Sequence, residues 1–214
     1  MIPFAPDDPA AAASDVAAAV WRTTLDQPGY ALLWFPHPVC SHELRRAMVA
    51  LVEALPVRFV VERLGRFDQQ VSSKFHRDGA PTASLLLLGY EATAVRSRLF
   101  IADASRAAAA AGVPLPEFLA RHNPMFPSGE AHYLHFVAEV PLPRGESYLV
   151  AINNSLMPGP DGTNPLGVLH KAVIDTPDPA ARRVINSIGL TLPGMATAKS
   201  AAEVERFVSR DDLD

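Results

Sequence analysis

The sequence predicts a mainly β fold with flanking helices, built as a sandwich or barrel. Three observations carry that prediction. About eight apolar segments of strand length follow residue 57, turn-forming residues separate them, and 20 prolines and 12 glycines supply the corners. At 214 residues with 49% apolar content, the chain reads as one domain, 1–214, with a sizeable core.

The elements follow in order. The first dozen residues are rich in Ala, Pro and Asp and predict a frayed arm. Ser14 offers an N-cap, and Val16, Val20, Trp21 and Leu25 recur at helical spacing up to Pro28-Gly29. Residues 30–35 are apolar throughout and predict a short strand. Ser41 then caps a second helix whose stripe is Leu44, Met48, Leu51, Val52 and Leu55, stopped by Pro56. Strands are predicted at 58–61, 71–76, 83–89, 98–102, 133–140, 147–153, 167–174 and 183–190. An insertion, 103–129, carries an alanine run at 107–111 and a helical piece at 116–122. Residues 201–210 predict a last short helix, and no internal repeat or linker is visible.

Composition excludes several classes. A net charge of −4 provides no basic field for nucleic acid or anionic lipid. No apolar run reaches the ~18 residues that span a membrane. Residues 1–13 hold two acids and no base, unlike a secretory signal. Cys40 is the single cysteine, which excludes an intrachain disulfide and fits a reducing cytoplasm; at a helix entrance it could be reactive, but without an evident basic partner it reads as a packed, inert thiol.

His76-Arg77-Asp78 and the distant His170 carry the chemistry. Two imidazoles and one carboxylate hold a non-haem Fe(II) on one face and leave the opposite positions open. Two residues apart on a strand, His76 and Asp78 project to the same side. His76-x-Asp78 by itself also fits a turn, since Asp78-Gly79 precedes Pro81. His170 by itself fits a satisfied core histidine. His132 and His135, three apart on a predicted strand, face opposite ways and cannot share an ion. His37, His42 and His122 read as surface. Arg183 opens the last strong strand, and no acid in that strand offsets its desolvation. A bound carboxylate would do so, and Ser187, on the same face, could add a hydrogen bond. The alternative for Arg183 is a strand-end ion pair. Arg182 has the opposite parity and reads as a surface charge.

The order of these elements resembles the Fe(II)/2-oxoglutarate-dependent oxygenases, nearest to the bacterial branch around phytanoyl-CoA dioxygenase. The resemblance covers roughly residues 28–192: a helix leading into the apolar strand 30–35, His76-x-Asp78, a Gly145-Glu146-led strand, His170 and the Arg183 strand. It implies a double-stranded β-helix, the jelly-roll or cupin-like barrel. It implies that His76, Asp78 and His170 are the catalytic metal ligands and that Arg183 anchors the distal carboxylate of 2-oxoglutarate, with Arg182 as the alternative anchor. Fe(II) is then the cofactor and 2-oxoglutarate the co-substrate. The reaction with O2 oxidises a C–H bond of a small molecule and releases succinate and CO2. Arg66, Gln70, Arg96 and Arg98 could meet an anionic group or serve as solvated surface. Asn153 and Asn154 could orient a ligand or form a turn. The insertion is expected either as a lid, contacting substrate through Phe118, His122 or Phe126, or as an ornament on the outer sheet. The rival readings are a cupin-like metalloenzyme without 2-oxoglutarate and a non-catalytic jelly-roll binding module.

Overall fold

The computed structural model describes residues 1–78 and 83–214. Six strands form one sheet in the order β1 (Ile2–Pro3), β2 (Tyr30–Trp34), β7 (Tyr148–Asn153), β4 (Ser84–Tyr90), β9 (Val184–Thr191) and β3 (Val60–Asp68). A second sheet contains β6 (Val137–Val140), β5 (Arg96–Ala102) and β8 (Leu169–Thr176). Helices are α1 (Pro9–Val20), α2 (Ser41–Ala54), α3 (Ala104–Ala110), α4 (Leu115–Arg121), α5 (Pro127–Glu130) and α6 (Ala201–Ser209). The architecture is therefore mixed helix and sheet rather than mainly β. Its two sheets do not close into a barrel.

Alternation along the strands sorts the core into layers. Leu86, Leu88 and Tyr90 of β4, Val150 and Ile152 of β7 and Ile185 of β9 meet Leu99 and Ile101 of β5 between the sheets. The intervening Leu85, Leu87, Leu149, Ala151, Ile188 and Leu190 face α1 and α2. Because both faces are covered, β4 is buried along its whole length and reads as a continuous apolar run. At Gly89 the Met48 sulfur of α2 packs where a Cβ would stand, so any larger residue there would make the Met48 side chain move.

Several expected elements differ. The first residues are no frayed arm. β1 pairs with β2, and Phe4, fully buried, meets Phe35 edge-on at 5.7 Å. One aromatic anchor suffices to tie down an otherwise small and polar segment. Helix α1 starts at Pro9, leaving Ser14 exposed within it, because the small Ala12 and Ala13 join Val16 on the buried face. Residues 71–76 form no strand and bend at Val71 and Phe75. The Ser72 and Ser73 hydroxyls accept the Ile174 and Ala172 N–H groups at 2.9 Å each, and the Ser73 N–H donates to the Ala172 carbonyl at 2.9 Å, so side-chain and backbone bonds share the pairing. Only at His76 and His170 is there a β-bridge. The first half of the predicted 133–140 strand is a 3₁₀ helix, Ala131–Phe136, that buries Tyr133. Cys40 is exposed rather than packed, and it serves as the N-cap of α2, its N–H bonded to Glu43 at 2.8 Å. Among the described residues no helix is long and apolar enough to cross a membrane.

The insertion packs on the outside of the second sheet. Ala104, Ala107, Ala108, Phe118 and Tyr133 cluster with Phe75, Ala102 and Leu169, the outward-facing residues there. The buried Arg22–Asp103 pair clamps its start to the chain beyond α1.

Candidate metal centre

Three side chains from two segments converge at one end of the space between the sheets. His76 and His170 are joined by reciprocal backbone bonds, His76 N–H to His170 O at 3.0 Å and His170 N–H to His76 O at 3.1 Å. That bridge sets their rings 4.2 Å apart. Asp78 Oδ1 lies 3.4 Å from His76 Nε2 and 3.8 Å from His170 Nε2. One donor atom from each residue lies within 4.8 Å of the others, close enough to share an ion. His76 Nδ1 is 2.7 Å from the Lys74 carbonyl. A proton on Nδ1 satisfies that contact and leaves the Nε2 lone pair facing Asp78, as a metal ligand requires. The residues fit a divalent cation.

The electrostatics agree with the donor set. Burial, the neighbouring His76 and, in the opposite sense, Asp78 set the His170 pKa, which is pushed down to about 4, so this ring is neutral near pH 7. Burial also pulls His76 down, but its bonds to the Asp78 carboxylate and the Lys74 carbonyl outweigh that, and its pKa is raised. Burial pushes the Asp78 carboxyl up, and the hydrogen bond and charges of the two histidines hold it below its ordinary value. The first proton taken up here therefore goes to His76 beside Asp78, the place a cation would take. Neighbouring segments hold Asp78 through its backbone. Its N–H donates to Asn154 Oδ1 at 3.2 Å, and Arg63 donates to its carbonyl oxygen. The expected turn at Asp78-Gly79 and Pro81 lies partly outside the described residues.

A cavity of about 120 Å3 opens from the three ligands, walled by Phe67, Gln69, Leu88, Tyr90, Ala172 and Ile185 among others. Arg183 adjoins this wall. Only 1% exposed, it directs Nε to Ser97 Oγ at 3.0 Å and Nη1 to the Gln69 carbonyl at 3.1 Å, with its guanidinium carbon 5.1 Å from the Tyr90 ring centroid. Its Nη2 is buried without an acceptor, and its side chain makes no ion pair among the described residues. The strand-end ion pair open to it in sequence is thus not made. Arg182 is exposed, and its carbonyl accepts from Thr93.

The other expected residues divide sharply. Ser187 shares the inward face of β9, but four residues of strand put it roughly 13 Å from Arg183, and Ser97 is the hydroxyl beside the guanidinium. Arg66 bonds Glu91 and the C-terminal tail, Gln70 bonds the Asp178 and Ala181 carbonyls, Arg98 pairs with Asp175, and Arg96 is exposed. Asn153 is structural, bonding the Val20 carbonyl at 2.9 Å, whereas Asn154 holds Asp78. His132 and His135 lie on the 3₁₀ helix rather than on a strand, and His132 stacks on His122 at 3.7 Å, away from the three ligands. No residue of the insertion lines the cavity, so it does not cover the ligands. Phe118 is buried against Tyr133, His122 lies against Phe118, and Phe126 is exposed.

Sequence reading missed Ser97, Tyr90, the Gln69 carbonyl and Arg63. The one available signal was parity: Ser97 shares the inward face of β5 with Leu99 and Ile101. No protein-family model matches the chain, and no curated protein matches it in sequence.

Proposed function

We propose that this chain is a non-haem Fe(II)- and 2-oxoglutarate-dependent oxygenase that oxidises a C–H bond of a small-molecule substrate. The observation that carries the reading is Arg183: a fully buried arginine without an acid, adjoining the same cavity that opens from two imidazoles and a carboxylate. His76, Asp78 and His170 would hold the iron. When bound, it supplies O2 activation coupled to decarboxylation of the 2-oxo acid. Arg183 would grip the distal carboxylate through its guanidinium fork, with Ser97 and the Gln69 carbonyl orienting it. Phe67, Leu88, Tyr90 and Ile185 line the cavity and would exclude water from a co-substrate bound there.

The topology supports a double-stranded β-helix for this function. From β3 onward the chain passes from the large sheet to the segment bonded along β8, back to β4, across to β5 and β6, then to β7, β8 and β9 by turns. Such interleaving places one end of β8 and its neighbouring segment together at one mouth, as the ligands require. The single cysteine agrees with a cytoplasmic protein.

Anaerobic Fe(II) titration with and without 2-oxoglutarate tests the reading. A visible charge-transfer band that needs both components is expected. Iron binding that ignores 2-oxoglutarate would favour a cupin-like metalloenzyme, and absence of iron binding would favour a binding module.

A further inference from the structure

Resting on the metal-centre reading above, we propose that the protein recognises an anionic group on its substrate, a carboxylate or a phosphate, and that Arg63 grips it beside the metal ligands. Arg63 follows the bulge in β3 and is exposed, yet it is held in place. Its side chain lies flat on β9 at Gly189, where an added Cβ would come within 3.3 Å of both Cβ and Nε of Arg63. One guanidinium nitrogen is tied to the Asp78 carbonyl. The remaining donors have no acceptor among the described residues, and Arg63 makes no ion pair there. An exposed guanidinium already bonded on one side and packed along a strand forfeits less entropy on meeting an anion than one surrounded by water.

Charge balance points the same way. A divalent metal and Arg183 are offset by Asp78 and a dianionic 2-oxo acid. Arg63 stands beyond that balance. Arg77, between the two ligands of the first segment and bonded through Nη1 to the Asn154 carbonyl at 2.5 Å, adds positive potential to the same rim. Among the described residues the metal-ligand cluster holds one carboxylate, that of Asp78. A substrate that brings one or two negative charges to this rim completes the site, and its apolar portion then extends away from the guanidinium.

Four probes with one eight-carbon chain separate the outcomes: octanoate, octyl phosphate, octanol and octylamine. Each is titrated calorimetrically, without oxygen, into protein carrying Fe(II) and saturating 2-oxoglutarate, which keeps Arg183 occupied. At least one anion is expected to bind about tenfold or more tightly than octanol and octylamine. Which anion prevails identifies the class. Arg63→Gln keeps a donor for the Asp78 carbonyl but removes the charge, and should erase that preference. Arg63→Lys should retain part of it. Equal binding of all four probes, no binding of any, or an anion preference untouched in Arg63→Gln overturns the proposal. The chelate band is read on the same samples. If it is absent while the Arg63-dependent preference persists in metal-free protein, the oxygenase reading fails and the anion site stands.

Discussion

Arg45 and Arg183 are the two largest fully buried side chains of the protein, and they are buried in opposite ways. Arg45, on α2, lies 2.9 Å from Asp211 and 3.6 Å from Glu91, and its Nε meets the Val208 carbonyl at 3.3 Å. It ties the C-terminal tail to the large sheet, and acids offset its charge. Among the described residues Arg183 has a serine, a carbonyl and an aromatic face, but no acid, and its Nη2 has no acceptor. An unmet buried donor costs about 1–3 kcal/mol. On the proposed function a bound carboxylate would meet that donor. Burial alone does not separate the two arginines; the surrounding acids do.

The strongest way to break this comparison is to remove the partner end of the cavity. Asp78→Ala or His170→Ala should abolish Fe(II) binding in an anaerobic titration while leaving the Arg45 cluster and the fold intact. His132→Ala should keep the iron. Retention of iron by His170→Ala, or its loss in His132→Ala, would dismantle the assignment. Next in size, Arg183→Met should weaken 2-oxoglutarate by a factor of tens to thousands, or about 2–5 kcal/mol, with iron affinity nearly unchanged. Arg182→Ala should leave 2-oxoglutarate binding near that of the parent protein, and the reverse ranking would move the anchor.

Stability sharpens the contrast from the other side. Arg45→Ala leaves a void in the core and removes the bonds to Ser41, Val208 and Asp211 that hold the tail, and should lower the unfolding free energy by about 2–3 kcal/mol. Arg183→Met, which removes a buried charge lacking an acid, should change it by less than about 1 kcal/mol or raise it. Urea denaturation of the two metal-free variants decides, and equal losses would refute the distinction drawn here.

A smaller effect follows pH. His170 has an ordinary pKa near 6.5 when unfolded and about 4 when folded, so the unfolded chain takes up the proton first. Its stabilisation, in metal-free protein, is complete above pH 6.5 and lost as pH falls toward 4. His76, raised, works weakly in the opposite sense. The Asp211 carboxyl is lowered by its hydrogen bond to Arg45, so the Arg45 cluster weakens only below the ordinary carboxylate range. Denaturation curves at intervals from pH 8 to 3 should show the first loss in the parent protein and not in His170→Ala. The smallest expected effect belongs to Ser97→Ala. Losing one hydrogen bond to Arg183 should weaken 2-oxoglutarate by about 1 kcal/mol, several-fold. No change would mean that Ser97 does not orient the guanidinium.

Local spacing determined a good part of this protein. The two-residue interval in His76-x-Asp78 anticipated that both side chains meet, although only an isolated bridge at His76 forms there. The parity of 182 and 183 separated an exposed arginine from a buried one. The apolar stripe of α2 was equally plain, from Leu44 to Leu51. Other features had no local signature. Strand β3 extends to Asp68 through the charged Arg63 and Arg66, whose partners are Asp78, Glu91 and the C-terminal tail, 15 to 148 residues away in sequence. Ser97 reaches Arg183 across 86 residues, and Asn154 reaches Asp78 across 76. The alanine-rich insertion gave no hint of which face it would cover, since small residues pack equally on a mouth or on an outer sheet. Sequence determined which chemical groups were available and which way each faced along its own segment. Only tertiary structure decided which groups meet, and whether a buried charge finds an acid, because those contacts are made between segments whose separation in sequence carries no information about their distance in space.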